Sequence, residues 1–395
     1  MRVSLRNLAI CGSLAVAGMA MAQTTPKVTM EWNKFITSAQ HCQSTDCRDG
    51  SGYGNKIYFS NKADHNVYCY DPTDESVTVV ANVAGSSFGI SLDDAGNILV
   101  NGGFSGANSS KLFNIISAAD KTVTTFEANL HDVAYGRNDL LPRVVGNMLS
   151  EDGAIFYLFP KDATSTAMIY VQNGVQADGP FSFFNSEVLP KTNADATSLA
   201  QPAYTFAELI EMDNDGAING AAVRLRGNKY ISVFNYEATA WAAVPQAASP
   251  APSTDNGFDV FSLADKKYQV YPTLTGAGSY NSTIAIADFE GNVIYEDERG
   301  NLHTAGSSTN SGSITARKVD EHTVEVYTYY PVPTGAYVAK FVVSDETNAV
   351  SDIAVDEAEG EAVYYNLQGV RVAGEPANGI YLKVANGKAS KVLVK

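Results

Sequence analysis

The chain is short of positive charge: 27 Lys and Arg stand against 43 Asp and Glu, for a formal net charge of −16 at pH 7. Nucleic-acid binding needs a basic face that neutralises phosphates, so that class of function is not expected. Histidine is scarce, with five in 395 residues, which leaves few side chains to shuttle protons near neutral pH. Cysteine is scarcer, at four. Beyond Ala22 no stretch stays apolar for the ~20 residues a membrane helix needs, so no transmembrane span is expected. Sustained helical periodicity is almost missing, which argues against all-α and α/β architectures.

What is present begins with an address. Arg2 and Arg6 precede an apolar run from Leu8 to Met21, and Ala20-Met21-Ala22 forms a small-x-small site before Gln23. Residues 1–22 therefore read as a cleavable signal peptide. Cys11 does not read as a lipidation site, because Ile10 stands where a small residue is required. Cleavage removes two arginines and no acid, taking the net charge from −16 to −18. It leaves Cys42, Cys47 and Cys69 in an oxidising compartment. Cys42–Cys47 is the disulfide candidate, since that pairing closes a short loop before the first clear strand.

The body reads as strands. Lys56 to Ser60, Val67 to Tyr70 and Ser76 to Val80 are short β-branched or aromatic runs separated by Asp, Asn and Gly. A turn cassette recurs as Asp93-Asp94-Ala95-Gly96-Asn97, Glu151-Asp152-Gly153, Asp213-Asn214-Asp215-Gly216, Asp288-Phe289-Glu290-Gly291-Asn292 and Glu298-Arg299-Gly300-Asn301. Asp and Asn bond their own main chain and Gly takes positive φ freely, so each cassette marks a tight turn between strands. The uneven spacing excludes a strict solenoid repeat. Four-stranded blades of ~40 to 50 residues would fill residues 23–348 six or seven times. The expected fold is thus all-β: a six- or seven-bladed β-propeller, with an open multi-sheet sandwich assembly as the alternative. Segment 203–212 would also suit a helical turn, through Phe206, Leu209 and Ile210.

The end of the chain differs. Residues 362–395 carry +4 while residues 23–361 carry −22, and an acidic connector with no basic residue, 344–361, lies between. Residues 349–395 are expected to form a small β-sandwich module, with a hairpin over Gly379–Val384, Asn386-Gly387 and Lys391–Val394.

Two resemblances add to this reading. Gly54 to Phe59, His65 to Asp71 and Ser86 to Val100 resemble blades of NHL and gluconolactonase-like propellers. Asn366, Leu367, Gly369, Pro376, Gly379, Ile380, Tyr381, Gly387, Lys388, Lys391 and Val392 match the C-terminal sorting domain of secreted Bacteroidota proteins. That second resemblance implies type IX-like recognition by outer-membrane export machinery, with surface attachment after it. The expected location is extracellular or on the outer-membrane surface, with the periplasm as the fallback.

No chemical motif stands out. Gly85-Ser86-Ser87-Phe88-Gly89 matches a nucleophile elbow, but Ile90-Ser91-Leu92 continues as strand where a helix is required. His41, Cys42, Cys47, His65 and Cys69 match no standard zinc spacing. Glu211 to Gly216 opens like a calcium loop, with Ala222 where the closing Glu belongs. His131-Asp132 would point to opposite faces of a strand. The gluconolactonase-like resemblance implies a channel metal; Asn97, Asn101, Asp132 and Asn147 are amide and acid positions of the right type, but none aligns with that family's ligands and none is carried over as a metal ligand. Tyr327, Tyr329, Tyr330 and Tyr337, with Tyr53, Tyr135, Phe181, Phe183 and Phe184, offer stacking surface for a sugar or peptide.

The reading is a propeller, non-enzymatic on balance, that binds a glycan, peptide or protein through its loop face. The alternatives are a channel-metal hydrolase, lactonase-like or glycan-processing, and a structural or adhesive surface component. No cofactor is called for, and calcium is the one cation the turns could hold.

Overall fold

The computed structural model describes residues 25–83, 85, 88–102, 110–129, 141–158, 165–177, 184–185, 206–210, 220–224, 230–235, 240–245, 257–273, 283–297, 312–345, 363–366, 371–372, 376, 379–385 and 388–394. Residues 1–22, read from sequence as a signal peptide, lie outside them. The chain divides into compact units 1–345 and 346–395. Among the described residues no helix is long and apolar enough to cross a membrane.

The first unit is a β-propeller. Residues 50–82, 90–129, 206–245 and 259–296 each fold into a four-stranded antiparallel sheet, with strands in chain order from the inner edge outward. A fifth sheet joins Ser313–Asp320, Thr323–Val332 and Gly335–Ser344 to Lys27–Thr37, which pairs antiparallel from Lys27 opposite Ser344 to Thr37 opposite Gly335. The first strand of the unit is therefore the outermost strand of its last sheet. Inner strands Asp259–Leu263, Ser313–Asp320, Gly50–Tyr53 and Ile90–Leu92 stand side by side in that order around the axis.

A sixth sheet breaks the pattern. Val145–Gly146, Ala154–Leu158 and Ser165–Gln172 pair in order, but the outer position is split. Val175–Gln176 pairs with one end of Ser165–Gln172 and Phe184–Asn185 with the other. Among the described residues the four-stranded blades number five, not the six or seven expected from length, and one irregular five-stranded sheet accompanies them. Length alone misses this, because residues that would extend one outer strand here form two short ones. Phe206–Ile210, open to a helical reading, is a strand.

The sheets over 50–82, 90–129 and 259–296 are each covered on both faces by their neighbours, which explains their apolar runs. Val67 packs with Val83, Ile90, Leu92 and Val100, whereas Tyr68 and Tyr70 pack on the opposite side with Ile57, Phe59, Tyr327 and Tyr329. The period of two set out by the sequence puts alternate side chains into two different inter-sheet cores. Burial of such side chains stabilises by roughly 25 cal/mol per Å² of apolar surface removed from water. Glycine is required on the inner strand: a Cβ on Gly52 would overlap the Tyr327 ring, and one on Gly50 the Tyr329 ring.

Two of the cassettes, at Asp93 and Asp288, are turns of one geometry, and those at 213–216 and 298–301 lie outside the described residues. Asp93 Oδ1 accepts from the N–H groups of Ala95 and Asn97 (3.0 and 2.8 Å), and its Oδ2 accepts from Asn97 Nδ2 (2.9 Å). Asp288 repeats this with Glu290, Asn292 and Asn292 Nδ2 at 3.0, 2.8 and 2.8 Å. Gly96 and Gly291 take the left-handed backbone at φ 81° and 92°. Turns of this kind, and shorter ones such as Tyr53 to Lys56, Leu263 to Lys266 and Asp320 to Thr323, sit where inner strands end. The opposite end carries the longer connections, such as Pro245 to Asp259 and Glu296 to Ser313.

In the second unit, Val363–Tyr365, Gly379–Ala385 and Lys388–Val394 form one three-stranded antiparallel sheet. A bridge pairs Tyr365 with Arg371. The second layer that a sandwich requires is not among the described residues.

Candidate functional site

The inner strands are tied together by a few buried charged side chains. Arg317, on Ser313–Asp320, donates from Nε to Gly52 O (2.6 Å), from Nη2 to Leu92 O (2.7 Å) and from Nη1 to Asp93 O (3.2 Å). One guanidinium thus bridges three sheets. Burial pulls its pKa down, while Asp94 opposes that pull. Its guanidinium carbon also lies 5.2 Å from the centroid of the Tyr53 ring, a cation–π contact.

Asp259 plays the complementary part. Its Oδ1 accepts from Val260 N–H (2.7 Å) and its Oδ2 from Ala316 N–H (2.6 Å). Arg143 Nη1 lies 3.7 Å from Asp259 Oδ1 and donates to the carbonyls of Val260 and Ala316 at 3.3 and 3.4 Å. Burial pushes the Asp259 carboxyl above its ordinary range, against the pull of Arg143. At the end where inner strands begin, Asp49 Oδ2 accepts from Ile90 and Leu141 N–H, both at 2.9 Å. Asp49 is fully enclosed, and desolvation pushes it up to about 8 despite those two donors.

Where the inner strands end, a cavity of about 700 Å³ opens. Tyr53, Asp94, Arg143, Phe261, Arg317 and Glu325 are among the residues that line it. Its volume falls within the 300–1,000 Å³ typical of small-molecule sites. Of the lining residues, Glu325 also belongs to a polar cluster that fastens the ring. Lys340 Nζ lies 2.8 Å from Glu31 Oε2 on the first strand and 2.7 Å from Glu325 Oε1. Tyr327 Oη donates to Glu325 Oε2 (2.6 Å) and accepts from Asn55 N–H (2.9 Å). Burial lowers the Lys340 pKa, but Glu31 and Glu325 outweigh it and hold the ammonium charged. Lys340 is therefore an ion-pair partner, not a nucleophile, since nucleophilic lysines need a depressed pKa.

With this geometry in view, the comparisons with known proteins add a fold likeness only. No family model matches the chain, and no curated protein matches it. Similar solved structures include a protein of unknown function from Dyadobacter fermentans, with TM-score 0.45, 11% identity, 80% of this chain and 99% of that one. The WD40 repeats of RRP9 align with TM-score 0.39 and 7% identity over 81% and 99% of the two chains. Hydrazine synthase of Kuenenia stuttgartiensis aligns with TM-score 0.39 and 11% identity over 89% and 96%. None reaches 0.5, and the propeller stands on its own sheet topology.

The residues singled out from sequence fall in several places. Tyr327, Tyr329 and Tyr330 are buried, 1, 1 and 2% exposed. They are core, not a stacking surface: the Cβ-free strand at Gly50 and Gly52 lets the Tyr329 and Tyr327 rings lie against it, and Tyr330 packs in the core on the opposite face, beside Gly312. Tyr337 is half-buried against Phe35, with ring centroids 4.8 Å apart. Asn97 Nδ2 is held by Asp93 and Asn147 Oδ1, so these amides close a turn. Asn101 is buried on its strand. His41 stacks on Tyr68 at 4.9 Å, and His65 takes a left-handed turn at φ 62°. Among the described residues no group of three or more His, Cys, Asp or Glu gathers as a metal site. Ser86, Ser87, His131, Asp132, Tyr135, Phe181, Phe183 and the 211–216 turn lie outside the described residues.

Cys42 and Cys47 are buried thiols in one core cluster. Cys42 Sγ donates to Ile36 and Thr37 carbonyls, and Cys47 Sγ to His41 O. Burial pushes the Cys42 thiol up to about 12 and Cys47 well above its ordinary value. In the second unit, Gly379, Ile380 and Tyr381 lie on one strand, Lys388 and Lys391 on its partner, and Asn366 follows Val363–Tyr365. Leu367 and Gly369 lie outside the described residues. Sequence reasoning missed Arg317, Arg143, Asp259 and Asp49, none of which belongs to a motif.

Proposed function

We propose that the chain is an exported, surface-attached propeller that acts by binding, and that its ligand enters the cavity where the inner strands end. One observation carries this reading: among the described residues, Arg317, Asp259 and Asp93 at the axis spend hydrogen bonds on backbone. Arg317 holds three carbonyls, and Asp259 and Asp93 each receive backbone N–H groups. A catalytic acid, base or nucleophile instead keeps its reactive atom for substrate. The sorting-domain resemblance of residues 349–395 supports display at the outer-membrane surface through export machinery, and the signal peptide supports export.

The full mature chain, probed on glycan, peptide and protein arrays, is expected to give saturable binding to one class that soluble ligand competes away. Deletion of residues 346–395 is expected to keep that binding and lose cell-surface display. Turnover of lactone or glycosidic substrates by the chain loaded with calcium or zinc, with no array binding, would sink this reading in favour of the hydrolase.

We also propose that Cys42 and Cys47 become a disulfide after export, by exchange with a donor disulfide that leaves as its dithiol. Both thiols lie in the same small core cluster and are five positions apart. Peptide mapping of the exported chain without reduction is expected to show a 42–47 linkage. Quantitative alkylation of both thiols before reduction would count against it.

A further inference from the structure

The cavity is lined by both signs of charge: Arg143, Arg317 and Lys318 against Asp94, Asp320, Glu321 and Glu325. At its base lies Arg317, 8% exposed. A guanidinium has five N–H groups, of which the carbonyls of Gly52, Leu92 and Asp93 take three. Those three bonds leave one N–H on Nη1 and one on Nη2, and two N–H groups of one guanidinium can meet the two oxygens of a carboxylate. Three bonds to backbone already fix this fork, so little side-chain entropy is lost when an anion docks on it. Arg143, with 16% of its side chain exposed, is a second guanidinium lining the same space.

The acids that line the cavity are Asp94, Asp320, Glu321 and Glu325. A simple anion would meet repulsion from these four. A neutral sugar would find no open aromatic face on Tyr53 or Phe261. Arg317 lies over the Tyr53 ring, which also packs on Gly96. Phe261 is 4% exposed and stacked on Tyr268 at 5.5 Å. A molecule carrying one carboxylate and one ammonium suits both groups of charges. Val145, Val260 and Val319 supply apolar wall, and 700 Å³ is room for a few amino-acid residues.

We propose that the cavity binds a short zwitterionic peptide, with its terminal carboxylate on Nη1 and Nη2 of Arg317 and its terminal ammonium among Asp94, Asp320, Glu321 and Glu325. This rests on the binding reading above and names its ligand class. Specificity comes from the two termini, so side chains along the peptide are read weakly.

The test is calorimetric titration of the full mature chain with Ala-Leu-Ala and Ala-Ala-Ala, each free, C-amidated and N-acetylated. The free forms are expected to bind with a Kd below about 1 mM. Amidation is expected to weaken binding about tenfold or more, since it removes the charge-assisted bidentate pair. Acetylation is expected to weaken it about threefold, as a partly solvated ion pair is worth less. Glu321→Gln alters a rim carboxylate that makes no side-chain contact among the described residues. It is expected to reproduce part of the acetylation effect and leave the thermal unfolding midpoint unchanged. Equal binding of free and amidated peptides, or no binding of either free peptide at about 1 mM, overturns the proposal. Binding of a uronic-acid disaccharide in place of the peptides overturns it while the binding reading stands. Silence here and on the arrays removes both.

Discussion

Arg317→Ala is expected to cost about 3–5 kcal/mol of folding stability, the range for stripping one partner from a buried charge cluster. The carbonyls of Gly52, Leu92 and Asp93 belong to two different sheets, and a third sheet supplies the arginine. Hydrogen bonds to charged groups contribute about 1.5–3 kcal/mol each, and alanine leaves three carbonyls facing the axis without a donor. Water entering from the cavity recovers part of that, which keeps the total below the simple sum. Against a typical folding stability of about 5–15 kcal/mol, this is a large fraction. Arg317→Lys keeps the charge but cannot reach three acceptors with one ammonium, so it should fall between parent and alanine. Urea unfolding followed by circular dichroism measures both. A loss below about 1 kcal/mol for alanine would show that the ring does not depend on this tie.

The second large effect is a pH dependence that runs opposite to ordinary acid denaturation. Asp49, enclosed where Gly50–Tyr53 begins, has its pKa pushed up to about 8, whereas an unfolded Asp titrates near about 3.9. A folded pKa above the unfolded one means that protonation favours the folded state. The contribution is therefore complete below about pH 4 and drains away as pH rises towards about 8. Between pH 5 and 7 the slope is about 1.4 kcal/mol lost per pH unit. Asp93 and Asp259 are raised as well, chiefly by burial, and act in the same direction. Half-buried Asp71, lowered by its bonds to Thr73 and Lys56 to about 2, acts in the opposite sense only in strong acid.

Asp49→Asn replaces the neutral acid with a neutral amide of the same shape, which still accepts from Ile90 and Leu141. Its stability is expected to fall less steeply between pH 5 and 7, by about 1.4 kcal/mol per unit relative to the parent. Urea midpoints at three pH values, taken as the difference between variant and parent, isolate Asp49 from the other two acids. Parallel curves would show that Asp49 is ionised throughout.

Much of the fold was legible because its determinants are local. The Asp-x-x-Gly-Asn turns at Asp93 and Asp288 close through bonds spanning four residues, so their chemistry is complete within the cassette. Alternation in Val67 to Tyr70 likewise encodes two buried faces. The site was not legible, because it exists only through closure. Nothing in Thr315-Ala316-Arg317-Lys318 distinguishes the arginine at the axis from the exposed lysine beside it. That distinction comes from Gly52, 265 positions away. Tyr327 and Tyr329 were misjudged for a related reason: the space they fill is an absence of Cβ atoms on a strand from the other end of the unit. The Gly, Tyr and Lys pattern near the end of the sequence is legible as a resemblance, and a sorting role for it would depend on a receptor that no single chain encodes.

The pairing of Lys27–Thr37 with Gly335–Ser344 makes completeness a condition of the structure. A product cut short before Ser344 would leave its earliest strand with no partner edge, Glu31 without Lys340, and the axis open on one side. Such a fragment would present a bare, β-competent edge for proteases and holdases to recognise. Only a chain translated through its last sheet conceals that edge, so the circle itself distinguishes finished molecules from unfinished ones.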